Sequence, residues 1–497
     1  MQDVEIYPAS WYYNACVQGF LEVLAWGLGN EGEEIITEQI LRSDGRAVIP
    51  GDLMTAAFSP RCIPYEGPPL KEVPEKLPIL KRIGWWWIEK SFKEGFISNS
   101  NKNRKDNNPT DEEKINMVFG RLFHFKKGYY PNLANLAHLK SVKSKVEFLN
   151  LWFDVERIDT LKKATCSFCG QKIELNKIDN IYSTFFLLPM SIHLGNSYEE
   201  FPNLFWDGTP NLIMCKQCRS YFLCFHLVSK NGFFINTDSL LVNWYLNHLL
   251  AGKIDSDYHQ SILNALQYNR QLRNAISSWG LQNTEILLFG PKDVRYYPIS
   301  ARLVRLLLIP QVATLIGRIH KDTKLPSAVN IVWEIILQER FDYLPIVIFK
   351  SLRAQLTGKN KEKDPEVIFS SQKNDWPVNN LIQLYFTIKQ QIANNKGGAI
   401  MGNINLREIR QEARRAPLDL NTNTGKNLAY RLMELTRLNK KTEVYHLLLR
   451  LYLSSGTKQQ FPVPLARLFE TNDSESFKAG IYAFIAGLSC SDTQEDS

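Results

Sequence analysis

No apolar run in this chain is long enough to cross a bilayer. The longest, Leu306 to Gly317, is bracketed by Arg305 and Arg318 and falls well short of the ~20 residues a spanning helix needs. The first residues, Met-Gln-Asp-Val-Glu-Ile, carry no basic and apolar leader, so no signal peptide is expected. Histidine and cysteine number only 8 each in 497 residues. No HExxH, phosphate-binding loop, GxSxG or dinucleotide fingerprint occurs, and the histidines stand apart from one another, so no catalytic residue is assigned and the chain reads as a non-enzyme. Asp364 and Glu366 make a carboxylate pair on paper, as some pair does in any chain of this length, and an enzyme built on them is the weakest alternative. Cys16, Cys62, Cys224 and Cys490 are scattered among mostly apolar neighbours and read as free thiols of a reducing cytoplasm.

What is present is an ordinary globular composition with 44% hydrophobic, 22% charged and 12% aromatic residues. Lys and Arg exceed Asp and Glu by 59 to 51, a net charge of +8. That excess permits nucleic-acid binding without requiring it. The length suits several domains with proper cores.

Two short cysteine pairs stand in the middle of the chain, Cys166-Ser-Phe-Cys169 and Cys215-Lys-Gln-Cys218. Each spacing lets a tight turn aim two sulfurs at one tetrahedral ion such as Zn²⁺. Four thiolates would leave no open position for an activated water, so the expected role is structural. The gap between the pairs exceeds the roughly 12 to 20 residues of compact zinc ribbons. Zinc would therefore staple the base of a long excursion. His226, a short way past Cys218, reads as a core or surface residue rather than a ligand.

In chain order, Trp11 to Leu28 has helical periodicity with aromatics massed at its start. Glu33 to Ile40 and Arg46 to Ile49 open strand-like segments. A Pro-rich stretch from Pro60 to Pro78 precedes Trp85-Trp86-Trp87, read as a core plug. The polar stretch Ser98 to Pro109 reads as a loop, and Thr110 with Glu113 forms a capping box that opens a helix. Lys126-Lys127-Gly128-Tyr129-Tyr130 and Lys292, Arg295, Tyr296 and Tyr297 interleave cations with rings, a pattern suited to phosphates and bases. Val304 to Ile319 reads as a buried helix broken by Pro310, and Trp376 to Ile392 as another helix. Lys396-Gly397-Gly398 marks a boundary, beyond which Leu428 to Leu438, Val444 to Leu453, Val463 to Phe469 and Phe477 to Leu488 read as the helices of a small bundle. Its arginines, Arg407, Arg410, Arg414, Arg415, Arg431 and Arg437 among them, invite a phosphate backbone. The expected fold is a mixed α+β large N-terminal region with a central four-cysteine zinc-finger insertion, followed by a C-terminal all-α helical bundle. The expected segments are 1–165, 166–218, 219–395 and 396–497.

The order of these parts resembles the large subunit of type I CRISPR Cascade effector complexes, the CXXC-CXXC family of type I-B and I-A systems. The opening helix, Trp11-Tyr12-Tyr13-Asn14-Ala15-Cys16-Val17-Gln18-Gly19-Phe20-Leu21, is similar to that family's aromatic-Asn-Ala-x-x-Gly-Phe-Leu start. The two cysteine pairs with their long separation are similar to its central zinc site, and the helical end to its tail. The resemblance implies a subunit that sits with guide RNA and the other backbone and small subunits, reads a short protospacer-adjacent motif on duplex DNA, opens the duplex into an R-loop and helps recruit a helicase-nuclease in trans. Asn99, Asn101, Asn103, Arg104, Asn107 and Asn108 are the candidate motif readers, since Asn pairs with adenine edges and Arg with guanine. Lys102, Lys105, Lys126, Lys127, Lys292 and Arg295 join the tail arginines as candidate backbone contacts. Codons for Lys396-Gly397-Gly398 can spell a ribosome-binding sequence, with Ala399-Ile400 as the spacing before Met401, so 401–497 is a candidate small subunit made by internal initiation. A stand-alone zinc-stapled DNA-binding regulator or transposition accessory factor is the alternative.

Overall fold

The structure is a computed structural model of the chain. It describes residues 2–61, 64–95, 109–124, 129–130, 136–154, 163–166, 168–170, 172–174, 215–251, 284–289, 294–307, 309–322, 326–357, 364, 366–368, 376–395, 404–420, 422–454 and 460–488. These residues form two compact units, one containing the described residues up to Ser300 and the other those from Ala301 onward.

The first unit is built around one helix. Strand β1 (Val4–Ile6) leads into α1 (Trp11–Leu28). Ser10 caps α1 by accepting from the Tyr13 N–H at 3.4 Å, which satisfies one of the four donors left open at a helix start. Most of α1 is buried all round, from Tyr12 through Phe20 to Leu28, as expected of a helix at the centre of a core. Next come α2 (Gly32–Ile35) and a π-helical turn, Ile36–Ile40. The strand-like reading of 33–40 is therefore corrected: Ile35, Ile36 and Ile40 turn inward, while Glu33 and Glu34 favour the positive end of a helix. Strand β2 (Ala47–Ile49) pairs antiparallel with β1, and α3 (Gly51–Ala57), α4 (Arg82–Gly95), α5 (Asp111–Leu122) and α6 (Val142–Trp152) follow. The Thr110–Glu113 capping box at the start of α5 is complete. Trp85, Trp86 and Trp87 are buried on α4. Two of their indole N–H groups are satisfied by carbonyls, Trp86 donating to Lys71 O and Trp87 to Leu223 O.

The antiparallel pair β3 (Lys163–Thr165) and β4 (Lys172–Glu174) flanks the first cysteine pair. Beyond the second come α7 (Lys216–Phe222), α8 (Phe225–Ser229), β5 (Phe233–Asn236) and α9 (Leu240–Ala251). Strands β6 (Thr284–Phe289) and β7 (Val294–Ile299) complete an antiparallel sheet in the order β5-β6-β7. Helix α1 packs against α4, α7 and α8. Gly19 permits the close approach at the start of α8, because a Cβ there would sit 2.1 Å from the Cys224 carbonyl oxygen.

The second unit is helical among its described residues. It comprises α10 (Ala301–Leu307), α11 (Pro310–Asp322), α12 (Pro326–Leu337), α13 (Leu344–Thr357), α14 (Trp376–Asn395), α15 (Leu406–Arg415), α16 (Asn423–Arg437), α17 (Lys441–Ser454), α18 (Val463–Glu470) and α19 (Ser474–Leu488). Pro310 starts α11, where its missing N–H is not needed. The tail holds one helix more than the sequence pattern named. That helix, α15, is capped by Asn405 and buries only Leu406, Ile409 and Ala413. Helix α19 forms the core of the unit and packs against α13, α14, α15, α16 and α18, so helices on both sides of 396–403 share one core.

Candidate metal centre

The first cysteine pair is held by a turn between β3 and β4 in which the Gly170 N–H donates to Cys166 O at 3.0 Å. The second opens α7. Cys215 is the cap residue, and its sulfur accepts from the Cys218 N–H at 3.3 Å. The Cys215 N–H in turn points at the Cys166 sulfur, also at 3.3 Å. Such N–H···S bonds favour the thiolate form that binds metals.

The sulfurs of Cys166, Cys169, Cys215 and Cys218 all lie within 4.8 Å of one another. Cys166 Sγ and Cys218 Sγ are 3.8 Å apart, and Cys169 Sγ and Cys215 Sγ 3.7 Å. These distances exclude disulfides, whose sulfurs are about 2.05 Å apart. They match the edge, about 3.8 Å, of a tetrahedron with metal–sulfur bonds of about 2.3 Å. The donor set thus fits a thiophilic tetrahedral ion in both chemistry and spacing. Hydrogen bonds from Cys169, Cys215 and Cys218 pull the Cys166 thiol well below its ordinary range. The bonds to Cys166 push Cys215 and Cys218 up.

The surroundings tie the cluster to the core. The Tyr13 hydroxyl of α1 lies 3.7 Å from Cys218 Sγ, and the Phe168 ring, between the first two cysteines, stacks on Tyr13 at 6.1 Å. Burial, followed by the electrostatic effect of neighbouring Cys218, pushes the Tyr13 and Tyr221 hydroxyls well up. Next to Cys218, the buried guanidinium of Arg219 donates to the carbonyls of Leu151 and Trp152. These are two of the open carbonyls at the end of α6. The neighbouring Trp152 indole N–H returns a bond to Arg219 O at 2.8 Å. Lys81 and Lys216 close the same side through Asp154, at 2.5 and 3.4 Å. Sequence reasoning found the four sulfurs but missed Tyr13, Arg219 and Trp152 as their supports. The only hint was the aromatic cluster at the start of α1.

His226 is not part of the cluster. Its Nε2 lies 2.8 Å from Ser91 Oγ, and its Nδ1 lies 2.9 Å from Tyr130 OH and 3.0 Å from Leu223 O. Burial lowers its pKa to about 3, so it is a neutral core residue, one of the two roles its sequence context left open.

The other sequence candidates fall in two groups. Asn99, Asn101, Lys102, Asn103, Arg104, Lys105, Asn107, Asn108, Lys126, Lys127 and Lys292 lie outside the described residues, as does Met401. Arg295 and Tyr296 face solvent on β7 while Tyr297 is buried. In the helical unit Arg415 pairs with Glu412 at 3.2 Å and Arg437 with Glu434 at 3.0 Å. Arg431 is exposed on α16 and Arg414 half-buried on α15, while Arg407 and Arg410 line a cleft described below. No helix among the described residues is long and apolar enough to cross a membrane.

No curated protein and no solved structure matches the chain. A family model described as CRISPR-associated protein (Cas_CXXC_CXXC) matches residues 159–230, a segment that contains both cysteine pairs, the turn that holds the first, and α7 and α8. Over that segment the chain is similar to the CXXC-CXXC family of CRISPR-associated proteins.

Proposed function

We propose that the chain is the non-catalytic large subunit of an RNA-guided type I surveillance complex, with Zn²⁺ held by Cys166, Cys169, Cys215 and Cys218. The observation that carries the reading is the coincidence of the family segment with a closed four-sulfur site packed against the opening helix. An all-thiolate set favours zinc over harder ions and offers no place for a reacting water, so the ion would fix the fold. In this reading the subunit binds beside guide RNA, recognises a short motif on duplex target DNA, supports strand opening and presents the complex to a helicase-nuclease. Sequence reading is left to base pairing. The polar segment from Asn99 to Asn108 is the proposed motif reader, and the segment from Met401 onward is proposed to be made also as a separate small subunit.

Tagged full-length protein purified from cells that express the neighbouring effector genes and a repeat array should carry a short RNA of uniform length and the other backbone subunits. Recovery as an RNA-free monomer that binds one DNA site tightly would replace this reading with that of a stand-alone regulator.

A further inference from the structure

A cleft of about 530 Å³ opens in the helical unit between α11, α14 and the start of α15, within the size range of ligand pockets. Three guanidinium groups line it, Arg318 from α11 and Arg407 and Arg410 from α15. Helix α14 supplies an amide wall of Asn380, Gln383 and Gln390. With Thr387 these residues recur at three- and four-residue intervals, so they share one helix face. Asn380 and Thr387 are only 4% and 3% exposed, so these two polar side chains occupy positions that would ordinarily be apolar. Among the described residues that line the cleft there is no Asp or Glu. Glu408, the nearby acid of α15, accepts instead from Asn405 Nδ2 at 2.9 Å. The Asn405 side chain also caps the N–H groups of Arg407 and Glu408, so the cations and amides, rather than an open helix end, define the site.

We infer that this cleft seats the phosphate backbone of single-stranded nucleic acid. Guanidinium groups match phosphate oxygens in a planar fork. The amide wall offers donors and acceptors to sugar and base edges without demanding one sequence. A duplex, with two backbones and its paired bases between them, is too thick to enter a cleft of about 530 Å³, so the ligand is one strand. The inference rests on the nucleic-acid reading above for the source of the phosphate, and it assigns that phosphate a place. It also brings in Arg318 and the α14 amides, which sequence charge density did not single out.

Full-length protein freed of RNA can be titrated against a fluorescently labelled oligothymidylate at two salt concentrations, with unlabelled duplex, nucleoside triphosphate and inorganic phosphate as competitors. Arg318 and Arg407 are exposed, so Arg318→Gln and Arg407→Gln should fold, as thermal melting would verify. The double variant should bind at least about tenfold more weakly, with its salt dependence reduced by about 0.7 per lost phosphate contact. Gln383→Leu should weaken binding without changing the salt slope, and Arg340→Gln, away from the cleft, should change neither. Wild-type affinity in a folded double variant would overturn the inference. So would displacement of the strand by free phosphate or nucleotide at equal molar concentration, which would make the cleft a small-anion site. Neither result bears on co-purification with guide RNA, so the two readings fail separately.

Discussion

Replacing Cys166 by serine removes one of four sulfurs that lie within 4.8 Å of one another and takes away the acceptor of the Cys215 N–H. The remaining donors cannot close a tetrahedral sphere. Metal analysis of fresh protein should fall from about one zinc per chain to near none. The melting temperature should drop with a stability loss of about 2 to 5 kcal/mol, the range for losing a cross-link in a small domain. An unchanged melting curve, or wild-type protein without metal, would refute the zinc assignment. His226 makes a second prediction at this scale. Its pKa is about 3 in the fold against about 6.5 when unfolded, so the unfolded chain binds the extra proton between those values. The stability that neutral His226 contributes is complete above about pH 6.5 and is lost as pH falls toward 3, by up to about 1.4 kcal/mol per unit. Denaturant titrations at pH 7, 5 and 4 should therefore show a shallower acid loss in His226→Gln than in wild type. Parallel losses would exclude His226 as a contributor. The cysteines were legible because metal ligands come as local pairs with a fixed spacing. The role of His226 was legible only as core or surface, because its partners Ser91 and Tyr130 are 135 and 96 positions away.

Among the elements, α1 and α5 show how the same residue type can have opposite effects. Gly19 on α1 faces the Cys224 carbonyl so closely that any Cβ must displace backbone. Gly120 on α5 has nothing within 4 Å of where its Cβ would stand. Gly19→Ala should therefore destabilise the protein by about 1 to 3 kcal/mol or more through overpacking. Gly120→Ala should stabilise it by up to about 1 kcal/mol through helix propensity. Equilibrium unfolding of the two variants checks the pair, and equal effects would contradict the packing of α1 against α8. The helical reading of α1 and the capping box of α5 were available from local sequence because caps and periodicity are local. Helix α15 was not, since it carries four arginines and only three buried residues, and its apolar stripe is too thin to stand out from a solvated segment. The π-turn at Ile36–Ile40 was equally hidden, because a run of isoleucines near glutamates satisfies strand and helix patterns alike.

At the scale of the whole molecule, the helical tail shares its core with what precedes it. The Tyr385 hydroxyl of α14 donates to Glu475 of α19, and Lys389 reaches the same carboxylate at 3.6 Å. A product translated from Met401 would lack α14 and would leave this side of α19 bare. Such a product should appear as a second, shorter band on immunoblots against a C-terminal tag, should vanish in Met401→Leu, and should run on size exclusion as a complex or oligomer. A single full-length band would end the proposal of a separate small subunit. The general α+β and helical classes could be read from composition and periodicity, whereas the core shared across 396–403 could not, because a glycine pair in sequence does not reveal which helices pack.

The staple has a further meaning for how such a chain can change over time. Cys169 and Cys215 are 46 positions apart in sequence, yet their sulfurs lie 3.7 Å from each other. The two ends of the intervening stretch are therefore held side by side. Lengthening a closed loop costs little, about 0.6 kcal/mol for each doubling. The four sulfurs thus act as a socket: the chain between β4 and Cys215 could change in length at little cost while α1, α6 and α7 keep their places.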